Sequence, residues 1–314
     1  MSVVGTLLRP VFEVTPTDVP VLTSADGPTT ERLSKVVFTV TECCELSLVT
    51  RRDKLAAKLD AYPEELLGFA YEGAGVGLAA LDDLLRWKQR TLAFVEGPAR
   101  DYIFAVYLGA GMGLARLHRN PEPFRRKLDD PVMGWAVLDG YGFHEAFFAY
   151  RKHVQERATP RHLSGYGLRA FDHGVGRGLW FATGADPKRV HATIDGFPSY
   201  RQGDLWAGIG LGCGYTGGVD EQALETLRAL AGRHLPRLAE GVVVAARARH
   251  QVGNPGDTVE LASRVICGLN SQEAAEIART ALDDLPTDDI EPAYEVWRQR
   301  IRSQFPHPSQ GDHS

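Results

Sequence analysis

YEGAGVGLAAL at residues 71–81 returns as YLGAGMGLARL at 107–117, as LDGYGFHEAFF at 138–148, as DHGVGRGLWF at 172–181 and as WAGIGLGCGY at 206–215. A degenerate copy, AEGVVVAARAR, follows at 239–249. The leading glycines Gly73, Gly109, Gly140, Gly174, Gly208 and Gly241 are separated by 36, 31, 34, 34 and 33 residues. A recurrence in that range marks stacked supersecondary units rather than a single active-site loop. Each helical glycine costs about 1 kcal/mol relative to alanine. Up to three at alternating positions in each of several copies must therefore gain something in tertiary structure. Two gains are open: close approach of helix backbones, or room for a ligand.

Around these phrases the pattern is helical. LAAKLDAY, residues 55–62, spaces its apolar residues by three and four. Pro63 precedes Glu64 and Glu65 as at the first turn of a helix. Asn120-Pro121, Asp130-Pro131, Asp186-Pro187 and Asn254-Pro255 read as caps followed by a proline at the first helical position. From Asp186 to Gly218 one full unit is legible: a short helix in DPKRVHATIDGF, a turn at PSYRQG, and the glycine-bearing helix. VDEQALETLRALAGRHL and AEGVVVAARARHQ repeat the plan, and Asn270 or Ser271 caps a closing helix. The expected fold is all-α, with helix-pair repeats of about 34 residues forming an α-solenoid or α/α superhelix. Residues 1–50, punctuated by prolines and containing β-prone VVFTVTE, are expected to be an irregular segment. Residues 51–305 form the repeat domain, and 306–314 a polar, disordered tail.

Of 314 residues, 44% are hydrophobic and 24% charged, with a net charge of -5. This balance argues against nucleic-acid binding, which demands a basic face. The uncharged run from Tyr102 to Ala115 is too short to span a bilayer, and the N-terminus lacks the order of a signal peptide. Cys43, Cys44, Cys213 and Cys267 show no metal-ligand spacing and fit reduced, cytoplasmic thiols.

Familiar motifs fail one by one. LGAGMGLARL lacks the third glycine of a dinucleotide fingerprint, since Leu114 stands there. Asp82-Asp83 lacks a third acid, with Arg86 in its place. His144-Glu145 lacks the second histidine of a zincin. No cofactor and no metal are therefore called for. What remains is a set of polar residues inside apolar phrases: Glu72, Asp139, His144, Glu145, Asp172, His173 and Arg177. Carboxylates and imidazoles in an apolar cleft suit proton transfer, because burial moves their pKa values toward neutrality. Tying helices together is the competing role for the same groups. If there is a cleft, Gly75, Gly111, Gly142, Gly176 and Gly210 would line it with Trp180 and Trp206. The ligand would be an elongated, hydrophobic small molecule, since no basic cluster awaits a phosphate.

GFAYEGAG (68–75), LDGYGFHEAFF (138–148) and FDHGVGRGLWF (171–181) resemble a family known only as a domain of unknown function. Its members are encoded in actinobacterial natural-product clusters, notably beside enediyne polyketide synthases. The likeness runs from about Gly68 to Pro286 and includes ELASRVICGLNSQEAA. It implies a cytoplasmic accessory protein that helps convert a linear polyene toward the enediyne core, or plays a related role. It transfers no catalytic residue. Two classes of function follow: a cofactor-independent isomerase, lyase or cyclase, or a scaffold or carrier that binds the polyene or docks other pathway proteins.

Overall fold

The computed structural model describes residues 3–15, 18–19, 27–85, 87–286 and 291–305. Among them there are helices and no strand. In chain order the α-helices among the described residues are α1 (Val3–Phe12), α2 (Pro28–Val49), α3 (Arg52–Leu59), α4 (Leu67–Leu84), α5 (Arg90–Val95) and α6 (Ile103–Arg116). There follow α7 (Glu122–Arg125), α8 (Ala136–Phe148), α9 (Tyr166–Ala182), α10 (Pro187–Asp195), α11 (Ser199–Thr216) and α12 (Glu221–Ala231). The chain continues through α13 (Leu235–Gln251), α14 (Gly256–Ala262), α15 (Ser271–Thr280) and α16 (Ala293–Arg302).

The glycine phrases lie on α4, α6, α8, α9, α11 and α13, and each of these helices packs on the next. α2 precedes them in the row and α15 follows. A recurring glycine register governs the contacts. A Cβ on Gly109 would strike the carbonyl of Glu72 on the preceding helix, and one on Gly140 that of Leu108. Gly174 meets Asp139, Gly208 meets His173 and Gly241 meets Ala207 in the same way. Two residues on, the glycine meets the following helix instead: Gly75 the carbonyl of Val106, Gly111 of Val137, Gly142 of Phe171, Gly176 of Leu205 and Gly210 of Leu238. All these separations would fall below 3.0 Å, which real Cβ atoms essentially never show. The five glycines expected to line a cleft are thus filled by backbone. Trp180 and Trp206 are likewise core residues, and Trp180 Nε1 donates to the Gly217 carbonyl.

The row curls back on itself. Phe69 on α4 meets Tyr215 on α11 edge-on, with ring centroids 5.1 Å apart. Arg32 donates to the Thr216 carbonyl at 3.0 Å, and Arg249 and Asn254 donate to the carbonyls of Glu65 and Glu64. At its far end Arg298 of α16, fully buried, pairs with Glu240, with Asp204 at 3.0 Å and with Glu295 at 3.6 Å.

Several local expectations are corrected. Residues 3–12 and 28–49 are helical, including VVFTVTE, because Leu33, Val36, Val37, Cys43, Cys44 and Leu48 become a buried stripe. Burial overrides the strand preference of β-branched residues. PSYRQG is not a turn: α11 begins at Ser199. Asn120, Asp130 and Asp186 cap the amides that follow, whereas the Asn254 side chain donates across to Glu64. Asn270 forms a full capping box with Glu273, but α15 does not close the chain, since α16 succeeds it. The tail at 306–314 lies outside the described residues.

Candidate functional site

Aligning the glycine phrases places Val76, Met112, Phe143 and Arg177 at one position, three residues after the leading glycine. All four line one cavity on the inside of the curl. One helical turn further, Arg116, Phe147 and Phe181 line it too, as i,i+4 neighbours on the same helix faces. The opposite wall is α2, through Val36, Val37, Val40 and Cys44, and the N-terminal segment closes the top with Phe12 and Val14. About 60 Å³ is open to the centres of water-sized molecules. That exceeds the space one water needs, about 10–15 Å³ on the same measure.

The polar part of the wall comes from Glu72, Thr41, Arg116, His144 and Arg177. Arg177 is 6% exposed. Its Nε donates to Asp139 Oδ1 and its Nη1 to Glu72 Oε1, both at 2.9 Å. Its guanidinium carbon stands 4.4 Å from the Phe143 ring centroid. Nη2 is buried without a partner. Asp139 spends its other oxygen on His173, Oδ2 to Nδ1 being 2.5 Å. Burial alone would raise the Asp139 carboxyl, but Arg177 and His173 outweigh it and hold it below its ordinary value. For Glu72 the balance falls the other way: burial raises its pKa despite Arg177. Two carboxylates on one arginine leave the outer one with less compensation.

His144, also 6% exposed, sits beside a third carboxylate. Its Nδ1 is 3.4 Å from Glu145 Oε1. Glu145 Oε2 lies 2.7 Å from His153 Nε2, a close ion-pair separation without the alignment of a hydrogen bond. His153 stands on a π-turn, Arg151–Gln155, that folds back toward α8. Its Nδ1 is 2.8 Å from the Ala158 carbonyl. Burial lowers the His144 pKa more than Glu145 raises it, so the ring is neutral near pH 7. Glu145 falls to about 2, since burial is outweighed by its two histidines. A carboxylate at Nδ1 selects the Nδ1–H tautomer and leaves a lone pair on Nε2. His144 Nε2 has no protein partner.

Of the seven polar residues singled out in the sequence, Glu72, His144 and Arg177 line the cavity, with Asp139, His173 and Glu145 directly behind them. Asp172 stands apart. Arg201 grips it through Nε at 2.9 Å and Nη2 at 2.5 Å, and also donates to the Arg157 carbonyl. Burial nonetheless pushes the Asp172 carboxyl up to about 6. Asp82 is likewise committed, accepting from the amides of Arg90 and Thr91 at 2.8 Å. Sequence reasoning missed Arg116, whose Nε donates to the Val11 carbonyl at 2.7 Å and pins the N-terminal segment over the cavity. The alignment on leading glycines carried the signal for Val76, Met112 and Phe143. Nothing in the sequence announced Phe12 or the α2 wall.

Residues 3–305 match the model of a protein family of unknown function, DUF1702. No curated protein and no solved structure matches the chain.

Proposed function

The chain belongs to the DUF1702 family, and we propose that this member binds an apolar, unsaturated small molecule in the cavity between α2, α4, α6, α8 and α9 and acts on it by proton transfer. The observation that carries this reading is a neutral, buried His144 in the wall of an aromatic cavity, backed by Glu145, with Arg177 in the same wall. Enzymes concentrate titratable groups in apolar concavities, whereas scaffolds spread them over open faces. His144 Nε2 takes a proton from one carbon of the chain and returns it to another, so the step balances as an isomerisation without an external reagent. Arg177 stabilises the negative charge that develops between the two transfers. Lyase or cyclase outcomes begin with the same abstraction. Asp139 and His173 hold Arg177 in place, and Glu145 orients His144.

The wider setting we propose rests on the resemblance seen in the sequence: a cytoplasmic accessory of polyketide or enediyne biosynthesis whose ligand is an elongated polyene. The glycine register favours reading the helix row as a repeat array wound into a tight superhelix. An elongated ligand requires the Phe12–Val14 cover to move, since the closed cavity is small. A carrier without chemistry would use the same apolar lining. Incubating the protein with the polyene product of the neighbouring synthase separates the two. A time-dependent change in polyene absorbance supports catalysis, and a bound but unaltered polyene supports the carrier.

A further inference from the structure

We infer that the ligand of this cavity is an uncharged, carbonyl-bearing apolar molecule, a ketone or enone, rather than a bare hydrocarbon or a carboxylate. The inference rests on reading the cavity as a ligand site. Three observations lead to it.

The first is an unused donor. Arg177 has every nitrogen but one engaged: Nε on Asp139, Nη1 on Glu72, and Nη2 on nothing. A buried, unpartnered N–H on a cation is costly to leave unmade. A hydrocarbon filling the cavity cannot relieve that cost, but a carbonyl oxygen can.

The second is an unused acceptor. His144 Nε2 is buried without a partner, and the residue lines the same cavity, where burial favours the neutral ring. A lone pair and an N–H in one apolar cavity fit a group offering an acceptor oxygen and an acidic hydrogen close to it. A carbonyl with an adjacent C–H has both, and so does its vinylogous extension in an enone. In such a molecule the proton goes to His144 Nε2, the electron pair moves into the enolate, and the oxygen is met by Arg177. Return of the proton at the far carbon regenerates the carbonyl and the neutral imidazole, so nothing is oxidised or reduced.

The third is charge. Arg177 already faces two carboxyl groups, Glu72 and Asp139, and Glu145 stands behind His144. A ligand carboxylate would add a further anion to a buried cluster in which burial already raises Glu72. Desolvating it there without a free cation is strongly unfavourable. Arg116, the other cation of the wall, turns its Nε and Nη2 to the carbonyls of Val11 and Glu13.

The test is a titration of the full-length protein with three probes of matched carbon skeleton: a short enone, the corresponding diene and the corresponding unsaturated carboxylate. The enone should bind more tightly than either by about tenfold to a hundredfold, the worth of one hydrogen bond to a charged donor. Its bound carbonyl stretch should shift to lower frequency than in water. Arg177→Lys should remove the preference. Should that variant fail to fold, the wild-type infrared shift decides alone. Equal or tighter binding of the diene, or an unshifted carbonyl, overturns the inference and leaves the cavity as a ligand site. Preference for the carboxylate overturns the assignment of a neutral ligand. If none of the three binds, the reading of the cavity fails and the inference with it.

Discussion

Arg177 on α9 reaches Glu72 on α4 with Nη1 2.9 Å from Oε1, joining two helices that are not neighbours in the row. The pair is therefore a tie across the inside of the curl, made possible because α4, α6, α8 and α9 turn one face toward a common axis. It also places a cation in the lining of the cavity that His144, the candidate base, lines too.

Removing the cation should be far more damaging than removing Glu72. Arg177→Met leaves Glu72 without its partner and Asp139 with His173 alone, and stability should fall by about 3–5 kcal/mol. Glu72→Gln should cost much less, because burial already favours its protonated form. Urea unfolding of both variants and of the double variant gives the coupling. An Arg177→Met cost no larger than that of Glu72→Gln would show that the tie is not a buried ion pair.

Glycine substitutions should separate packing positions from ordinary ones. A Cβ at Gly111 would collide with the carbonyl of Val137 and the amide of Tyr141. Gly111→Ala should destabilise by about 1–3 kcal/mol or more, the range of overpacked cores. At Gly134 the nearest atom is Arg125 Cγ at 3.8 Å, so Gly134→Ala should be neutral or stabilising by up to about 1 kcal/mol. Thermal melts of the two variants check the contrast.

The acid limb of stability should draw on the α16 clamp, along with Glu145 and Asp139 at the cavity. Asp204 and Glu295 are both held at about 2, burial being outweighed by Arg298 and then Arg169. Because their folded values lie below the unfolded ones, their contribution is present above about pH 4 and is lost as pH falls toward about 2. Asp172 works in the opposite sense. Raised to about 6, it favours the fold at low pH and withdraws that support as pH rises from about 4 through about 6. Asp172→Asn should flatten the second trend, and Arg298→Met should weaken the first. Urea midpoints between pH 3 and 8 read both.

The N-terminal cover should govern access. Phe12→Ala removes a ring from the top of the cavity, and Arg116→Met releases the carbonyls of Val11 and Glu13. Both variants should bind a hydrophobic fluorescent dye more strongly than wild type while keeping the helical circular-dichroism signal. Unchanged dye binding would mean that these residues do not close the cavity.

The glycine helices were legible because a small residue at alternating positions has little other reason to recur. Glu72, His144 and Arg177 stood out as polar groups in apolar phrases, and the cavity takes all three. The helix Pro28–Val49 was hidden by its run of β-branched and aromatic residues from Val36 to Thr41, whose conformation is decided by partners on α4 and α1. The curl was hidden for a similar reason: Phe69 and Tyr215 meet across most of the row, and no local pattern encodes such a contact. Asp172 adjoins His173 in the same phrase, and the step of about 100° around the helix takes it to Arg201.

The central claim is that His144 performs proton transfer inside this cavity. The most direct measurement follows polyene absorbance after addition of wild-type protein and of His144→Phe, with thermal melting of both. The expected result is a spectral change with wild type, slowed by about 10²–10⁴-fold in a variant that remains folded. A folded His144→Phe protein that transforms the polyene at the wild-type rate would contradict the account.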